Sequence, residues 1–304
     1  MSGNIILIAG QSGAKSTFAG GLLHHVEKRN GYNIVDSIEG NKQDYNQAII
    51  DKMFTQGEYP DQTTEGYIAH YELNGESFSR PGLGIDIVDF PGEQQELSLT
   101  PKGKLPLLQR AREGKTDDRQ TIKQNYEQNI HDDFRRGQTP NTRPEWETTF
   151  LYHYYEADKA IFLMNMYKIT DLDDKELVYD QKDIEHANNE FSDVAVIPIA
   201  VDWLGYDSDT FDPGYLQRFA NAVLQPARRD RELMDHLDNH INRGDHPKAR
   251  QILNYVKGEN EIDFFSVAIP DKGSPKQVTG YLTGDGNNGF ETKGFDEVIR
   301  WLQN

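Results

Sequence analysis

The sequence predicts an α/β protein whose mainly parallel sheet carries helices on both faces. Four apolar runs have the length and composition of strands buried on both sides: Asn4–Ala9, Lys159–Met166, Asp193–Val201 and Ile262–Ile269. Helices are predicted between the later runs, over Gln181–Phe191 and Tyr215–Asn242. Strands that alternate with helices are typical of a parallel sheet covered on both sides. With no clear linker that would mark an independent domain, we expect one domain over residues 1–304.

The composition excludes several classes of function. The chain carries 50 acidic against 32 basic residues, a formal net charge of −18. Such a surface repels phosphates, so nucleic acid is not an expected partner. The acidic excess fits either a solubilising surface or a halophilic source. The absence of cysteine excludes disulfides, thiolate zinc sites and cysteine nucleophiles.

The sequence contains no pattern for membrane insertion. No apolar run approaches the roughly 20 residues that a membrane-spanning helix needs, and the mean hydropathy is −0.77. The first residues lack the basic region and cleavage site of a signal peptide. We therefore expect a cytoplasmic protein without an integral membrane segment.

The elements near the N-terminus follow the first apolar run. A turn is expected over Gly10–Gly13, and a helix over Ser16–Lys28, where apolar residues recur at helical spacing. Gly31 provides its stop. A second helix is predicted over Tyr45–Phe54, followed by a polar loop over Gly57–Thr64.

Two further strands are predicted over Tyr67–Leu73 and Leu83–Phe90, and the short link between them favours antiparallel pairing. The polar residues from about 97 to 150 are interpreted as a helical insertion. A second insertion is expected over about 215–260. Phe295–Leu302 is predicted to close the chain as a helix.

The turn between the first strand and the first helix has the features of a phosphate loop. Such a loop needs a strand, small residues, a lysine, a hydroxyl residue and a helix start. Its backbone N–H groups and the helix N-terminus attract phosphate oxygens. Lys15 would reach the β- and γ-phosphates, and the Ser16 hydroxyl would bind Mg²⁺. The candidate nucleotide-binding residues here are Gly10, Gln11, Ser12, Gly13, Ala14, Lys15, Ser16 and Thr17.

This loop departs from the consensus G-x-x-x-x-G-K-[ST] at both glycine positions, where Ala9 and Ala14 stand. Ala14 is the more serious change, because a methyl group before the lysine can clash or oppose the required backbone angles. One alternative is a loop shortened by one residue. Another is an ordinary strand–turn–helix connection with Ser12 or Ser16 as the helix cap.

The second candidate motif lies at the end of the strand predicted over Leu83–Phe90. Asp89, Pro91 and Gly92 form the pattern D-x-P-G there. With the phosphate loop and the paired strands ahead of it, this pattern resembles the TRAFAC-class GTPases, the group of Ras-like and translation-factor GTPases. The resemblance implies a three-layer P-loop NTPase fold with one antiparallel strand and a degenerate Walker A motif. It also implies that Asp89 holds a Mg²⁺-bound water and that Gly92 donates its N–H to the γ-phosphate.

The same resemblance implies two roles in loops. A switch threonine is expected ahead of the paired strands, where Thr63 and Thr64 stand, and Thr64 is the preferred Mg²⁺ ligand. A residue just after D-x-x-G often orients the attacking water in this class. Gln94 is the candidate for that catalytic role, and Glu93 and Gln95 remain alternatives.

Base recognition is the least specific part of the resemblance. Asp202 follows the strand predicted over Asp193–Val201, where the class places its guanine-binding aspartate, but the Asn and Lys of N/T-K-x-D are absent. The first hypothesis is therefore a GTP-binding, GTP-hydrolysing switch that uses Mg²⁺ and acts on an unidentified protein partner. The second is an ATP-binding P-loop protein. The third, which Ala14 favours, is a scaffold that has lost the nucleotide.

Overall fold

The computed structural model describes residues 2–10, 14–29, 32–39, 45–55, 67–75, 83–89, 97–100, 103–114, 116–135, 142–165, 177–199, 238, 246–258, 262–264, 267, 292 and 294–303. The predicted α/β class is confirmed, because the strands of a mainly parallel sheet alternate with helices along the chain. Its strands are β1 (Ser2–Ile8), β2 (Tyr32–Glu39), β3 (Tyr67–Gly75), β4 (Leu83–Asp89), β5 (Leu97–Thr100), β6 (Gly103–Pro106), β7 (Lys159–Asn165), β8 (Asp193–Ile199) and β9 (Ile262–Phe264).

The described helices are α1 (Lys15–Arg29), α2 (Tyr45–Ile50), α3 (Leu107–Glu113), α4 (Thr116–Asn129), α5 (His131–Arg135), α6 (Arg143–Glu156), α7 (Gln181–Glu190), α8 (Pro247–Gly258) and α9 (Phe295–Gln303). A π-helical segment, Asp51–Thr55, directly continues α2. None of the helices in this part of the chain is both long and apolar enough to cross a membrane. The helix predicted over Tyr215–Asn242 falls outside the described residues except for Asp238, which is helical.

The main sheet has the strand order β2-β3-β4-β1-β7-β8-β9. Its centre, β1, runs parallel to both β4 and β7, and β8 and β9 continue this parallel arrangement. β3 runs antiparallel to both of its neighbours, β2 and β4. The carboxyl ends of the parallel strands therefore meet at one edge of the sheet, called the carboxyl edge below. Loops that follow such strands are the usual place for ligands in open α/β sheets.

The central strands bury side chains on both faces, as their continuous apolar runs predict. Alternate residues of β1, β7 and β8 enter two separate apolar clusters. The α1-side cluster joins Ile5, Leu7 and Ala9 to helices α1, α2 and α9. The α6-side cluster joins Ile6 and Ile8 to helices α3, α4, α6, α7 and α8. Helices thus cover both faces of the central strands.

Two strand pairs differ from the sequence prediction. β2 pairs with β3 over its whole length, from Tyr32 opposite Gly75 to Glu39 opposite Ile68, although no strand was predicted there. Its sequence YNIVDSIE has neither a continuous apolar run nor strict alternation. β5 and β6 form a small antiparallel sheet at the start of the region interpreted as helical. Each has four residues, which is too short for a periodic pattern.

Candidate functional site

The candidate site begins at the carboxyl end of β1, the central strand. Ile8 and Ala9 are each 1% exposed, so the strand leads into the loop from within the core. Helix α1 begins after the loop at Lys15 and has no acidic residue in its first turn. A helix whose first turn carries no carboxylate keeps its positive N-terminal potential, which favours anions. Gln11, Ser12 and Gly13, in the middle of the loop, lie outside the described residues.

Ala14 holds an unusual backbone conformation directly before α1. Its φ is 63°, and it is the non-glycine residue with positive φ in the part of the chain that the structure describes. Its carbonyl accepts a hydrogen bond from Phe18 N at 2.8 Å, which closes the first turn of α1. Its half-buried side chain packs against the α1-side cluster. The chain thus adopts at Ala14 the left-handed conformation that glycine favours, and the core accommodates the methyl group.

The Lys15 side chain folds back over the start of the loop. Its ammonium donates hydrogen bonds to the carbonyl oxygens of Ala9 and Gly10, at 3.1 and 3.2 Å. The residue is only 6% exposed. A buried ammonium needs polar partners because desolvation is costly, and these contacts fix its nitrogen beside the loop.

Two hydroxyl residues follow in the first turn of α1. Ser16 is 9% exposed, and Thr17 is half-buried. Groups of three or more His, Asp and Glu side chains that could hold a metal do not occur among the described residues. Magnesium in phosphate sites is usually held by one or two protein oxygens together with phosphate and water. The Ser16 hydroxyl is of the right chemical type for such a site.

Asp89 is the last residue of β4, the strand beside β1 at the carboxyl edge. Ile5 of β1 pairs with Ile87, so Asp89, two residues further along, lies level with Leu7, just before the loop. On its other side Asp89 pairs with Tyr67, where β3 begins. The backbone therefore brings the end of β4 and the start of β3 to the end of β1, where the loop that leads to Lys15 begins.

The other residues expected around the phosphates lie outside the described residues. Thr64 precedes Tyr67 by three positions, and Gly92 and Gln94 follow Asp89 by three and five. The first residue of β3 and the last residue of β4 pair at the carboxyl edge. The candidates lie just before the first of these residues and just after the second in sequence.

The region predicted to recognise the base begins at the end of β8. Val267 N donates to Pro198 O at 3.0 Å, and Val267 forms a parallel bridge with Ile199. Val267, three positions after β9, therefore lies beside the end of β8. Asp202, three positions beyond Ile199, falls outside the described residues.

A buried polar contact between α1 and α9 has no sequence signal that could have revealed it. His25 is 1% exposed; its Nδ1 lies 2.8 Å from Thr292 Oγ1 and its Nε2 lies 2.9 Å from Asp296 Oδ1. The order hydroxyl, imidazole, carboxylate is that of a nucleophilic triad. Thr292, however, is only 4% exposed. The described contacts make this group, the α1–α9 clasp below, a structural link between residues that are 267 and 271 positions apart in sequence.

Ion pairs tie α3 to the helices packed beside it. Arg112 of α3 lies 2.5 Å from Asp183 of α7, and Arg110 lies 3.0 Å from the buried Glu147 of α6. Burial raises the pKa of Asp183 to about 6, although its hydrogen bond from the Asp180 backbone and the charge of Arg112 lower it. Desolvation also raises the pKa of Tyr179, which is fully buried and donates to Leu163 O.

Comparison with known proteins does not assign this chain to a family. No protein-family model matches it, and no curated protein matches its sequence.

Proposed function

We propose that this chain is a P-loop protein with a three-layer fold that binds GTP and Mg²⁺ at the β1–α1 loop and hydrolyses GTP as a molecular switch. The observation that carries the proposal is the geometry of Ala14 and Lys15. The residue that departs most from the consensus takes the left-handed φ of 63° that glycine favours. The lysine beside it is buried over the loop and bonded to two loop carbonyls.

Lys15 and the start of α1 supply the charge that a phosphate chain needs. An ammonium that is 6% exposed gains more from a phosphate oxygen than an exposed one, because water screens the attraction less. The first turn of α1 carries no acidic residue to oppose the ligand. A buried cation at a helix N-terminus is therefore suited to the β- and γ-phosphates.

Ser16, Asp89 and Thr64 carry the oxygen donors that the proposed magnesium ion would need. Ser16, the second residue of α1, carries a hydroxyl, and Asp89 ends β4, the strand beside β1. The Thr64 hydroxyl would complete the protein ligands from the chain that enters β3. Hydroxyl and carboxylate oxygens are the donors that magnesium accepts at phosphate sites. When bound, the ion would neutralise charge on the β- and γ-phosphate oxygens.

The chain after β4 would carry the switch. The Gly92 N–H would donate to the γ-phosphate, and the Gln94 amide would orient the water that attacks it. Loss of the γ-phosphate would remove these contacts and release the segment. The support is the register that places Asp89 beside the end of β1.

Guanine is the proposed base. The Asp202 carboxylate would accept hydrogen bonds from the N1–H and the exocyclic amine of guanine. Its support is the contact of Val267 with Pro198 and Ile199, which brings the chain after β9 to the end of β8. The absent Asn and Lys of N/T-K-x-D favour ATP as the competing ligand, so base preference has to be measured directly.

The deciding experiment measures the binding of fluorescent GTP and ATP analogues, with and without Mg²⁺. Lys15→Ala should weaken GTP binding by about 10- to 100-fold, because a hydrogen bond to a charged group contributes roughly 1.5–3 kcal/mol. The matched control is Lys123→Ala, which removes an exposed lysine of α4 and should leave binding unchanged. A preference for ATP would reassign the base. A folded protein that binds neither nucleotide would overturn the proposal.

A further inference from the structure

The C-terminal helix α9 packs against the first turn of α1, directly behind the candidate phosphate loop. The Phe295 and Phe18 rings lie 5.5 Å apart between centroids, in a tilted arrangement. Both residues are fully buried. Phe18 is also the residue whose backbone N–H bonds to Ala14 O. One residue therefore contacts α9 with its side chain and the strained Ala14 with its backbone.

The α1–α9 clasp fixes Phe295 from the other side. Thr292 and Asp296, on either side of Phe295 in sequence, both bond to the His25 ring. That ring lies 6.0 Å from the Phe295 ring, centroid to centroid. Gly294 has a φ of 82°, which provides the turn between Thr292 and α9. The start of α9 is thus held against α1 at two residues that lie about two helical turns apart, Phe18 and His25.

A strained residue keeps its conformation only when the surrounding structure holds it. A left-handed φ is disfavoured for any residue that has a Cβ. The described restraints on Ala14 are its packing on the α1-side cluster and its bond to Phe18. If Phe18 loses its contact with Phe295, the first turn of α1 can shift and Ala14 can relax. The Ala14 backbone and the start of α1 would then lose the orientation that the proposed phosphate site needs.

We infer that α9 positions the phosphate loop, with Phe295 as the positioning residue and the His25, Thr292 and Asp296 contacts as the clasp that fixes it. This inference rests on the proposed function for its consequence, which is control of nucleotide release. Nucleotide would leave slowly while α9 is docked and faster when the contact between Phe18 and Phe295 is weakened. Anything that displaces α9 would therefore promote nucleotide exchange.

The experiment compares Phe295→Leu with Val256→Ala. Val256 is a buried residue of α8 in the α6-side cluster, so its truncation destabilises the fold from the opposite face of the sheet. The release rate of a fluorescent guanine nucleotide is measured by displacement with unlabelled nucleotide. Phe295→Leu should raise this rate about 3- to 10-fold, since an aromatic pair contributes roughly 0.5–1.5 kcal/mol beyond its burial. Val256→Ala should leave it within about twofold.

A rescue separates positioning from general loss of stability. Glycine holds positive φ without strain, so Ala14→Gly added to Phe295→Leu should return most of the release rate toward that of the wild type. A merely structural role for Phe295 would give no rescue. Asp296→Ala provides a gentler variant that keeps the Phe295 ring, and we expect about a two- to threefold rise in the rate. Equal effects of Phe295→Leu and Val256→Ala, or the absence of rescue, would overturn the inference.

Hydrogen exchange tests the same coupling without any nucleotide. The Phe18 amide, which donates to Ala14 O, should exchange at least about fivefold faster in Phe295→Leu than in Val256→Ala. Unchanged exchange at Phe18 would overturn the inference. If the wild type binds no nucleotide, the proposed function fails, and this measurement alone decides whether α9 positions the loop.

Discussion

At the scale of single residues, Ala14 sets the backbone geometry at the point where the β1–α1 loop enters α1. From the sequence, its methyl group was expected to be the main obstacle to phosphate binding. The structure instead places Ala14 at a φ of 63° with its side chain against the α1-side cluster. The strain of a positive φ at an alanine therefore lowers the stability of the fold. Because the backbone at position 14 has a positive φ, few other residue types can occupy this position without strain.

Two substitutions at position 14 test this conformation. Ala14→Gly should change the free energy of unfolding by less than about 1 kcal/mol, because relief of strain is offset by the greater freedom of glycine in the unfolded chain. Ala14→Val should destabilise by about 2 kcal/mol, because a β-branched residue is a pronounced outlier at positive φ. Denaturant unfolding of both variants checks the prediction. Equal stability of Val and Gly at this position would contradict a positive φ.

Asp183 is a single residue whose protonation should make the free energy of unfolding depend on pH. Burial raises its pKa to about 6, above the usual 3.8. The native state therefore binds this proton more tightly than the unfolded chain does, and stability rises as the pH falls through 6 toward 4. Between pH 7.5 and 5 the gain should be roughly 1 kcal/mol. Urea unfolding of the wild type and Asp183→Asn at both pH values isolates the contribution of Asp183 to this gain. The same pH dependence in both proteins would show that the gain does not come from Asp183.

At the scale of elements, α1 packs so closely on α2 and the π-helical segment that one glycine is required. A Cβ built at Gly20 would lie 2.5 Å from Ile49 Cγ2 and 3.0 Å from Met53 Sδ. Ile49 is β-branched and buried, so its methyl group has little freedom to move. The closeness of this contact is invisible in the sequence, where Gly20 and Gly21 look alike.

Gly20→Ala should therefore destabilise the protein although alanine is the better helix former. Overpacking costs about 1–3 kcal/mol, and the gain in helix propensity is about 1 kcal/mol. Gly258→Ala at the end of α8 is the matched control, because nothing lies within 4 Å of its added Cβ. Thermal unfolding should show a lower midpoint for Gly20→Ala and an unchanged or higher one for Gly258→Ala. The reverse order would show that the α1–α2 contact can adapt.

At the scale of the whole molecule, the sequence predicted those elements that a short stretch of residues defines by its own pattern. The buried strands β1, β7 and β8 were found because each is a long apolar run. The same pattern, together with the motif around Lys15, located the loop between β1 and α1. β2 and the β5–β6 hairpin were missed because pairing with a neighbour, and not their own periodicity, defines them. The α1–α9 clasp joins residues 267 or more positions apart, and no pattern along the chain encodes that.

Ligand binding should be visible in the stability of the whole domain, because a ligand that binds only the folded state shifts the unfolding equilibrium. GTP at about 100 times its dissociation constant with Mg²⁺ should add about 2.7 kcal/mol to the free energy of unfolding. For a chain of this size that corresponds to a rise of roughly 5 °C in Tm.

Removing Mg²⁺ with EDTA should reverse most of the rise, because the phosphate charge is then neutralised by Lys15 and α1 alone. Lys15→Ala should show little rise under either condition. A nucleotide-dependent rise that survives both EDTA and Lys15→Ala would mean that the ligand binds away from the β1–α1 loop, since the proposed site requires both Lys15 and a magnesium ion.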